Sequence, residues 1–250
     1  METLTLAKVA LITGGAGGIG SATARLLWNK GYSLVLLGRD AEKLERFGAE
    51  LGDAHRLKLF AADLTDPEQA AQAVQGAFEW KDRLDVIIHT AGYAPHLSLA
   101  QSTPSDWRDI VDRNLSSAMY IVHSAWPLFD AQHKDADSRK EFTGAAIVLI
   151  SSEAARDPFP GLGAYAVSKI GLNMLAKVVA REGQPIGLKA FCIAPAATET
   201  SMLRSLPYAD KIPAAQILSP DDVARAIDAA LDGGLAYSSG ETIYVHRGAR

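Results

Sequence analysis

Val9-Ala10-Leu11-Ile12-Thr13-Gly14-Gly15-Ala16-Gly17-Gly18-Ile19-Gly20 decides the fold: an aliphatic run, five glycines in seven residues, then a helical pattern over 18–30. Such a run suits a strand buried on both faces. The glycines after it let the chain turn tightly, let a pyrophosphate approach the main chain, and let helix pack on strand. A turn serving packing alone does not need so many. Free N–H groups and the dipole at the start of the next helix then favour an anion. The stretch reads as the phosphate-binding turn of a dinucleotide site.

The same alternation runs on to the other end of the chain. Short apolar runs at 9–12, 34–37, 57–60, 86–88, 147–150, 189–193 and 242–245 read as strands. Helical patterns at 18–30, 41–51, 67–79, 105–130, 164–182 and 220–231 lie between them. This predicts a parallel sheet with right-handed crossovers: α/β, doubly wound (Rossmann), three layers and about seven strands. No repeat, low-complexity tract or Pro/Ser-rich linker cuts the chain, so a single domain over 1–250 is expected. The charged stretch 132–143 reads as a solvated surface loop. Segment 196–218 is a loop by pattern, yet it holds Met202, Leu203, Leu206, Tyr208, Ile212 and Ile217. A loop that apolar must cover something, and a substrate lid is expected.

Composition narrows the function classes. Twenty-five Lys and Arg against 29 Asp and Glu give a net charge of −4, with no footprint for nucleic acid or anionic lipid. Cys192 is alone, which excludes an intramolecular disulfide. Residues 1–8 carry no basic region leading into an apolar stretch, and no run reaches membrane-spanning length. Six dispersed histidines, without H-E-x-x-H or Cys/His spacing, argue against a metal site. A cytoplasmic protein acting on a small molecule is expected.

Three further groups carry chemistry. The second strand ends at Gly38-Arg39, where an acidic residue would bind a ribose 2′-hydroxyl. A guanidinium there can pair instead with the 2′-phosphate of NADP, Asp40 being the rival ribose ligand. Asp63, after the third strand, is placed to accept from an adenine amino group. Tyr165 and Lys169, four apart, share a helix face, and an ammonium there is expected to lower the phenol's pKa. Ser152 stands thirteen residues upstream, at a strand's carboxyl end where ligands of such sheets sit.

Taken together, the whole chain resembles the short-chain dehydrogenase/reductase family in its compact form. The family's T-G-x-x-x-G-x-G falls on Thr13, Gly14, Gly18 and Gly20. Its serine, tyrosine and lysine fall on Ser152, Tyr165 and Lys169, and its catalytic asparagine on Asn114. The late Pro-Gly…Thr-x-Met segment appears as Pro195, Ala196, Thr200 and Met202. There are departures. Asn-Asn-Ala-Gly is replaced by His89-Thr90-Ala91-Gly92, Ala196 stands for a glycine, and Gly17 occupies a position where many NADP-preferring relatives are basic. Asn114-Leu115-Ser116 also matches a glycosylation site, which we read as coincidence at an interior position.

The resemblance implies hydride transfer between a nicotinamide and a carbonyl or secondary alcohol carbon. With Arg39, NADP(H) is the expected carrier and NAD(H) the alternative. Cofactor contacts are implied for Gly14, Gly18, Ile19, Gly20, Arg39, Asp63, Leu64, Ala91, Gly92, Tyr165, Lys169, Pro195 and Thr200. Tyr165 would donate the proton, Ser152 would hold the carbonyl oxygen, Lys169 would bind the ribose, and Asn114 would hold a relay water. Thr200 would anchor the carboxamide, with Ile193 and Pro195 framing the ring. Tyr93, His96, Glu153 and Phe159 are pocket candidates, while His89, His96 and His123 read as packing or rim residues. With only Arg204 and Lys211 as cations in the lid, an apolar or aromatic ketone is the expected substrate. Two other readings are an NAD-dependent secondary-alcohol dehydrogenase and a catalytically silent dinucleotide-binding scaffold. The patterns at 105–130 and 164–182 are candidates for a homodimer or homotetramer interface.

Overall fold

The computed structural model describes residues 7–139 and 144–247. It begins with β1 (Val9–Thr13), α1 (Gly18–Asn29), β2 (Ser33–Gly38), α2 (Ala41–Leu51), β3 (Leu57–Ala61), α3 (Pro67–Lys81) and β4 (Val86–His89). Then come α4 (Pro104–Val111), a π turn (Asp112–Ser116), α5 (Ser117–Arg139), β5 (Ala146–Ile150) and α6 (Gly163–Glu182). The chain closes with β6 (Lys189–Pro195), the short α7 (Ser201–Arg204), α8 (Pro220–Leu231) and β7 (Thr242–Val245). The seven strands pair in the order β3-β2-β1-β4-β5-β6-β7, every pair parallel. The expected doubly wound sheet is present.

Its inner strands are almost continuously apolar because both their faces are covered, whereas the edge strands β3, with exposed Lys58, and β7 are only partly buried. Val9, Leu11, Val35, Leu37, Ile87, Ile147 and Leu149 pack with α3, α5 and α6 residues such as Val74, Ile121, Phe129 and Leu172. Their alternates Ala10, Ile12, Leu34, Leu36, Val86, Ile88, Val148 and Ile150 pack with Leu27, Leu44, Val223 and Ile227 of α1, α2 and α8. Helix starts follow local chemistry. Asp40 caps α2, Asp66 with Pro67 caps α3, and Thr103/Asp106 and Ser219/Asp222 form capping boxes on α4 and α8. Helix α1 differs: Gly17 precedes it and no side chain caps it.

Two expectations are corrected. The single helix over 105–130 is two helices joined by the π turn, whose residues include Asn114. The stretch 132–143 is not a loop up to Arg139, because α5 continues to that residue; 140–143 lie outside the described residues. Two contacts support the first of these charged turns. Lys134 pairs with Asp130 at 2.6 Å, one turn away, and Gln132 bonds both the N–H and the carbonyl of Leu84 beside the entry to β4.

The order of the sheet reverses between β1 and β4, and a crevice opens there at the carboxyl ends of the strands. Segment 196–218 stands beside it. Its ends are tied by Leu218 N–H to Ala197 O (2.8 Å) and Glu199 N–H to Leu218 O (2.9 Å). Leu203, Ala209 and Ile217 give it a small core of its own.

Candidate active site

The crevice holds a groove of about 750 Å³ whose floor is main chain from Gly14 to Gly20. Gly14 has φ +63°, and a Cβ there would lie 3.0 Å from the Ala91 nitrogen. A Cβ on Gly20 would overlap the Gly14 carbonyl, and one on Gly18 would sit 2.6 Å from the Thr200 methyl. The backbone is therefore bare where α1 begins, and its first N–H groups meet no competing cap. That cradle fits the pyrophosphate of a dinucleotide. At the groove's other end stand Arg39, Asp40, Lys43, Asp63, Leu64 and Arg113. Asp40 is occupied, accepting the Lys43 N–H at 2.9 Å. Arg39 is exposed and has no ion pair among the described residues. Hydrogen bonds from Thr65, together with the fields of Arg39 and Arg113, hold the Asp63 carboxyl below the usual carboxylate range.

The wall facing the glycines hangs on a buried hydrogen-bond chain. Thr13 and His89 are register partners on β1 and β4, and Thr13 Oγ1 lies 3.0 Å from His89 Nδ1. Ser117 Oγ donates to the Arg113 carbonyl (3.1 Å) and lies 3.3 Å from His89 Nε2. With its own proton spent, Ser117 accepts from Nε2–H, which leaves Nδ1 to accept from Thr13. Thr13 Oγ1 in turn accepts the Ala91 N–H at 3.2 Å, and Thr90 Oγ1 donates to the Thr13 carbonyl at 2.6 Å. Burial, with the Lys169 charge adding to it, pushes His89 down to about 3 from its ordinary 6.5. Between those values the unfolded chain takes a proton that the folded chain refuses, so stability falls as pH drops through that window. Denaturant unfolding at pH 7, 5 and 4 should show this fall, and a shallower one in His89→Gln.

Ser152, Tyr165 and Lys169 meet in a second cavity of about 160 Å³ that shares Ile19, Thr90, Gly92 and Thr200 with the groove. Ser152 ends the β5 segment in an extended conformation, its Oγ accepting the Ala154 N–H at 3.1 Å. One turn of α6 separates Tyr165 from Lys169, whose Nζ lies 5.5 Å from the phenol ring centre. The Lys169 ammonium donates to the Ile150 carbonyl at 2.9 Å, and Ser151 Oγ donates to the Lys169 carbonyl at 2.9 Å. Burial pushes Lys169 down to about 8. Burial also pushes Tyr165 up to about 12, against the pull of the adjacent Ser152 hydroxyl. The expected lowering of the phenol by its lysine is thus absent: desolvation of the ring hydroxyl dominates, and what opposes it is Ser152 rather than Lys169.

Asn114 lies within the π turn, and its Nδ2 donates to the Ile110 carbonyl four residues earlier at 2.8 Å. The same amide clamps both main-chain groups of Tyr93, donating to its carbonyl at 2.8 Å and accepting its N–H at 3.0 Å. A Cβ on Gly92 would lie 3.0 Å from Asn114 Oδ1 and 3.3 Å from Lys169 Nζ, so these three converge.

Of the remaining expected residues, Ile19, Leu64, Ala91 and Gly92 line the groove, and Pro195 and Thr200 line the cavity. Ile193 does not frame it; fully buried, it packs between sheet and helices one strand repeat deeper than Pro195. Glu153 and Phe159 line the cavity, whereas Tyr93 and His96 line the groove. His123 lies on an exposed face of α5. Sequence reasoning missed Lys43 and Arg113. Lys43 was signalled by its place in the first turn after Arg39, and Arg113 by directly preceding Asn114. Among the described residues no group of His, Cys, Asp and Glu is disposed to hold a metal ion, and no helix is long and apolar enough to cross a membrane.

Comparison with known proteins follows the same lines. A family model described as short chain dehydrogenase matches residues 8–211. Nodulation protein G of Rhizobium sp. (strain N33) is 29% identical over 248 residues, covering 96% of each chain. Acetoacetyl-CoA reductase of Acinetobacter sp. (strain RA3849) is 27% identical over 253 residues, covering 96% of this chain and 97% of the relative. The crystal structure of 3-ketoacyl-(acyl-carrier-protein) reductase from Brucella melitensis, complexed with NADH, superposes with TM-score 0.85 at 26% identity, over 95% and 96% of the two chains.

Proposed function

The chain belongs to the short-chain dehydrogenase family, and from that premise we propose that it is an NADP(H)-linked reductase of an apolar or aromatic ketone. The observation that carries the reading is the convergence of Ser152, Tyr165 and Lys169 on a cavity continuous with the glycine-floored groove. A bound nicotinamide dinucleotide supplies the hydride. The chain's own residues do the rest. Ser152 holds the carbonyl oxygen and stabilises the charge that develops on it, and Tyr165 delivers a proton to the same atom. Lys169 and Asn114, brought together at Gly92, bind the ribose and pass the proton outward. Segment 196–218 acts as the lid, contributing Met202, Leu203, Leu206, Tyr208 and Ile212 to the cavity wall. These apolar walls support a neutral ketone, and the two reductases among the relatives support the carbonyl direction.

Arg39 is the reader of the 2′-phosphate in this proposal. Its rival is weakened because Asp40 is committed to capping α2, while Lys43 adds a second cation to the same rim. Arg39→Asp should move the ratio of NADH to NADPH affinity by tenfold or more toward NADH, about 1.4 kcal/mol. Paired fluorescence titrations at fixed salt measure it, and an unmoved ratio removes Arg39 from that role. NADH in the Brucella complex keeps the NAD-linked alcohol dehydrogenase as the second reading, which the same titration decides. Met119 on α5 and Val167, Ile170, Met174 and Val178 on α6 are exposed large apolar residues, which supports a homodimer or homotetramer joined through these helices.

A further inference from the structure

We propose that Tyr208 donates a hydrogen bond to a second oxygen of the substrate, so that the preferred ketone carries an oxygen acceptor besides the carbonyl being reduced. The inference rests on the reductase reading above and narrows it.

Tyr208 lies in segment 196–218 and faces the cavity that Ser152 and Tyr165 share. Its ring is fixed from two sides. Phe159 stacks on it with centres 6.5 Å apart, and His96 meets it edge-on at 5.7 Å. The ring also packs against the buried cluster of Ala94, Leu162 and Tyr165, together with Met202 and Leu206. Within that grip the hydroxyl is buried and has no hydrogen-bond partner among the described residues. Buried hydroxyls are almost always paired, so an unmet one held rigidly in a cavity wall calls for a ligand atom.

The chemistry of that atom follows. Burial pushes the Tyr208 phenol above its ordinary value, so at neutral pH it is an O–H donor and needs an acceptor. The two phenols of the cavity are close enough for Tyr208 to contribute to the upward push on Tyr165. A substrate whose keto oxygen sits at Ser152 and Tyr165 therefore presents a second oxygen nearby, as an α- or β-dicarbonyl or a keto ester does. A neutral acceptor fits better than a carboxylate. Lys169 is the cavity's cation and is already bonded to the Ile150 carbonyl, while Glu153 adds negative charge to the wall, held by Arg156 at 2.7 Å.

The test uses the full chain with NADPH and three substrates with a main chain of seven atoms: ethyl 3-oxobutanoate, heptane-2,3-dione and the plain analogue heptan-2-one. The keto ester and diketone are intrinsically more electrophilic, so the wild-type preference alone decides nothing. The readout is the ratio of kcat/KM for each oxygenated ketone over heptan-2-one, compared between wild type and Tyr208→Phe. A drop of about tenfold in that ratio for at least one pair is expected, with NADPH titration and thermal unfolding of the variant reported alongside. Equal losses on all three substrates, or an unchanged ratio, overturn the role of Tyr208. Failure of the wild-type chain to reduce any of the three while binding NADPH overturns the reductase reading itself.

Discussion

Tyr165→Phe is expected to lower kcat by about three orders of magnitude, near 4 kcal/mol of transition-state stabilisation, while nicotinamide binding changes little. The substitution removes one oxygen from a side chain that is 9% exposed and leaves the ring in its cluster with Ala94, Ile110 and Leu162. Ser152 is the side chain that acts on its hydroxyl, and among the described residues no main-chain hydrogen bond holds it, so the fold loses almost nothing. A loss of turnover can then be assigned to the missing proton. The raised phenol, about 12, also fixes a direction. Across neutral pH the free protein keeps this proton, which suits delivery to a developing alkoxide. Alcohol oxidation needs the phenolate and should quicken as pH rises toward that value. Steady-state rates in both directions between pH 6 and 9, with a fluorescence titration of the variant, make the measurement. Wild-type turnover in Tyr165→Phe would sink the mechanism.

Most of the fold was legible because both faces of the sheet are covered. The central strands β1, β2, β4, β5 and β6 had to be largely apolar, and the glycines at 14–20 had to follow the first of them. What escaped had physical causes that spacing does not encode. The helix over 105–130 reads as continuous because a π turn, here Asp112–Ser116, adds a residue without interrupting the apolar pattern. Residues 132–139 read as loop because they are charged, yet Gln132 ties that turn to Leu84 from 48 positions away in sequence. The site followed the same division. Thr13, Gly14, Gly18, Gly20, Ser152, Tyr165 and Lys169 were identifiable by type and order alone. The neutral tautomer of His89 was not, since it follows from Ser117 having already given its proton to Arg113. The direction of the Tyr165 shift was not legible either, because spacing gives proximity to Lys169 and says nothing of how dry the pocket is.

Lys169→Met should produce the opposite pairing of effects: a protein that turns over two to three orders of magnitude more slowly and unfolds less readily. Burial holds the ammonium near 8 against 10.5 in an unfolded chain. Between those values the unfolded state carries a proton that the folded state lacks, so stability rises as pH rises through the window. Below about 8 the penalty is present in full, on the order of 3 kcal/mol. Methionine has nearly the same shape and no charge, which removes that penalty; the Ile150 carbonyl loses its donor, which costs about 1–2 kcal/mol in return. A net gain of about 1–2 kcal/mol at pH 7 is expected, together with loss of the rise that Lys169 contributes between pH 8 and 10.5; the buried Cys192 and Tyr165, both pushed up to about 12, then leave a profile that falls toward the alkaline end. Urea unfolding of both proteins at pH 7, 8.5 and 10 tests it. A destabilised variant with an unchanged profile would mean that the lysine charge is fully compensated where it sits. The expected result would instead make Lys169 a group that opposes folding, and its presence beside Tyr165, Asn114 and Gly92 would then be explained by the reaction rather than by the fold.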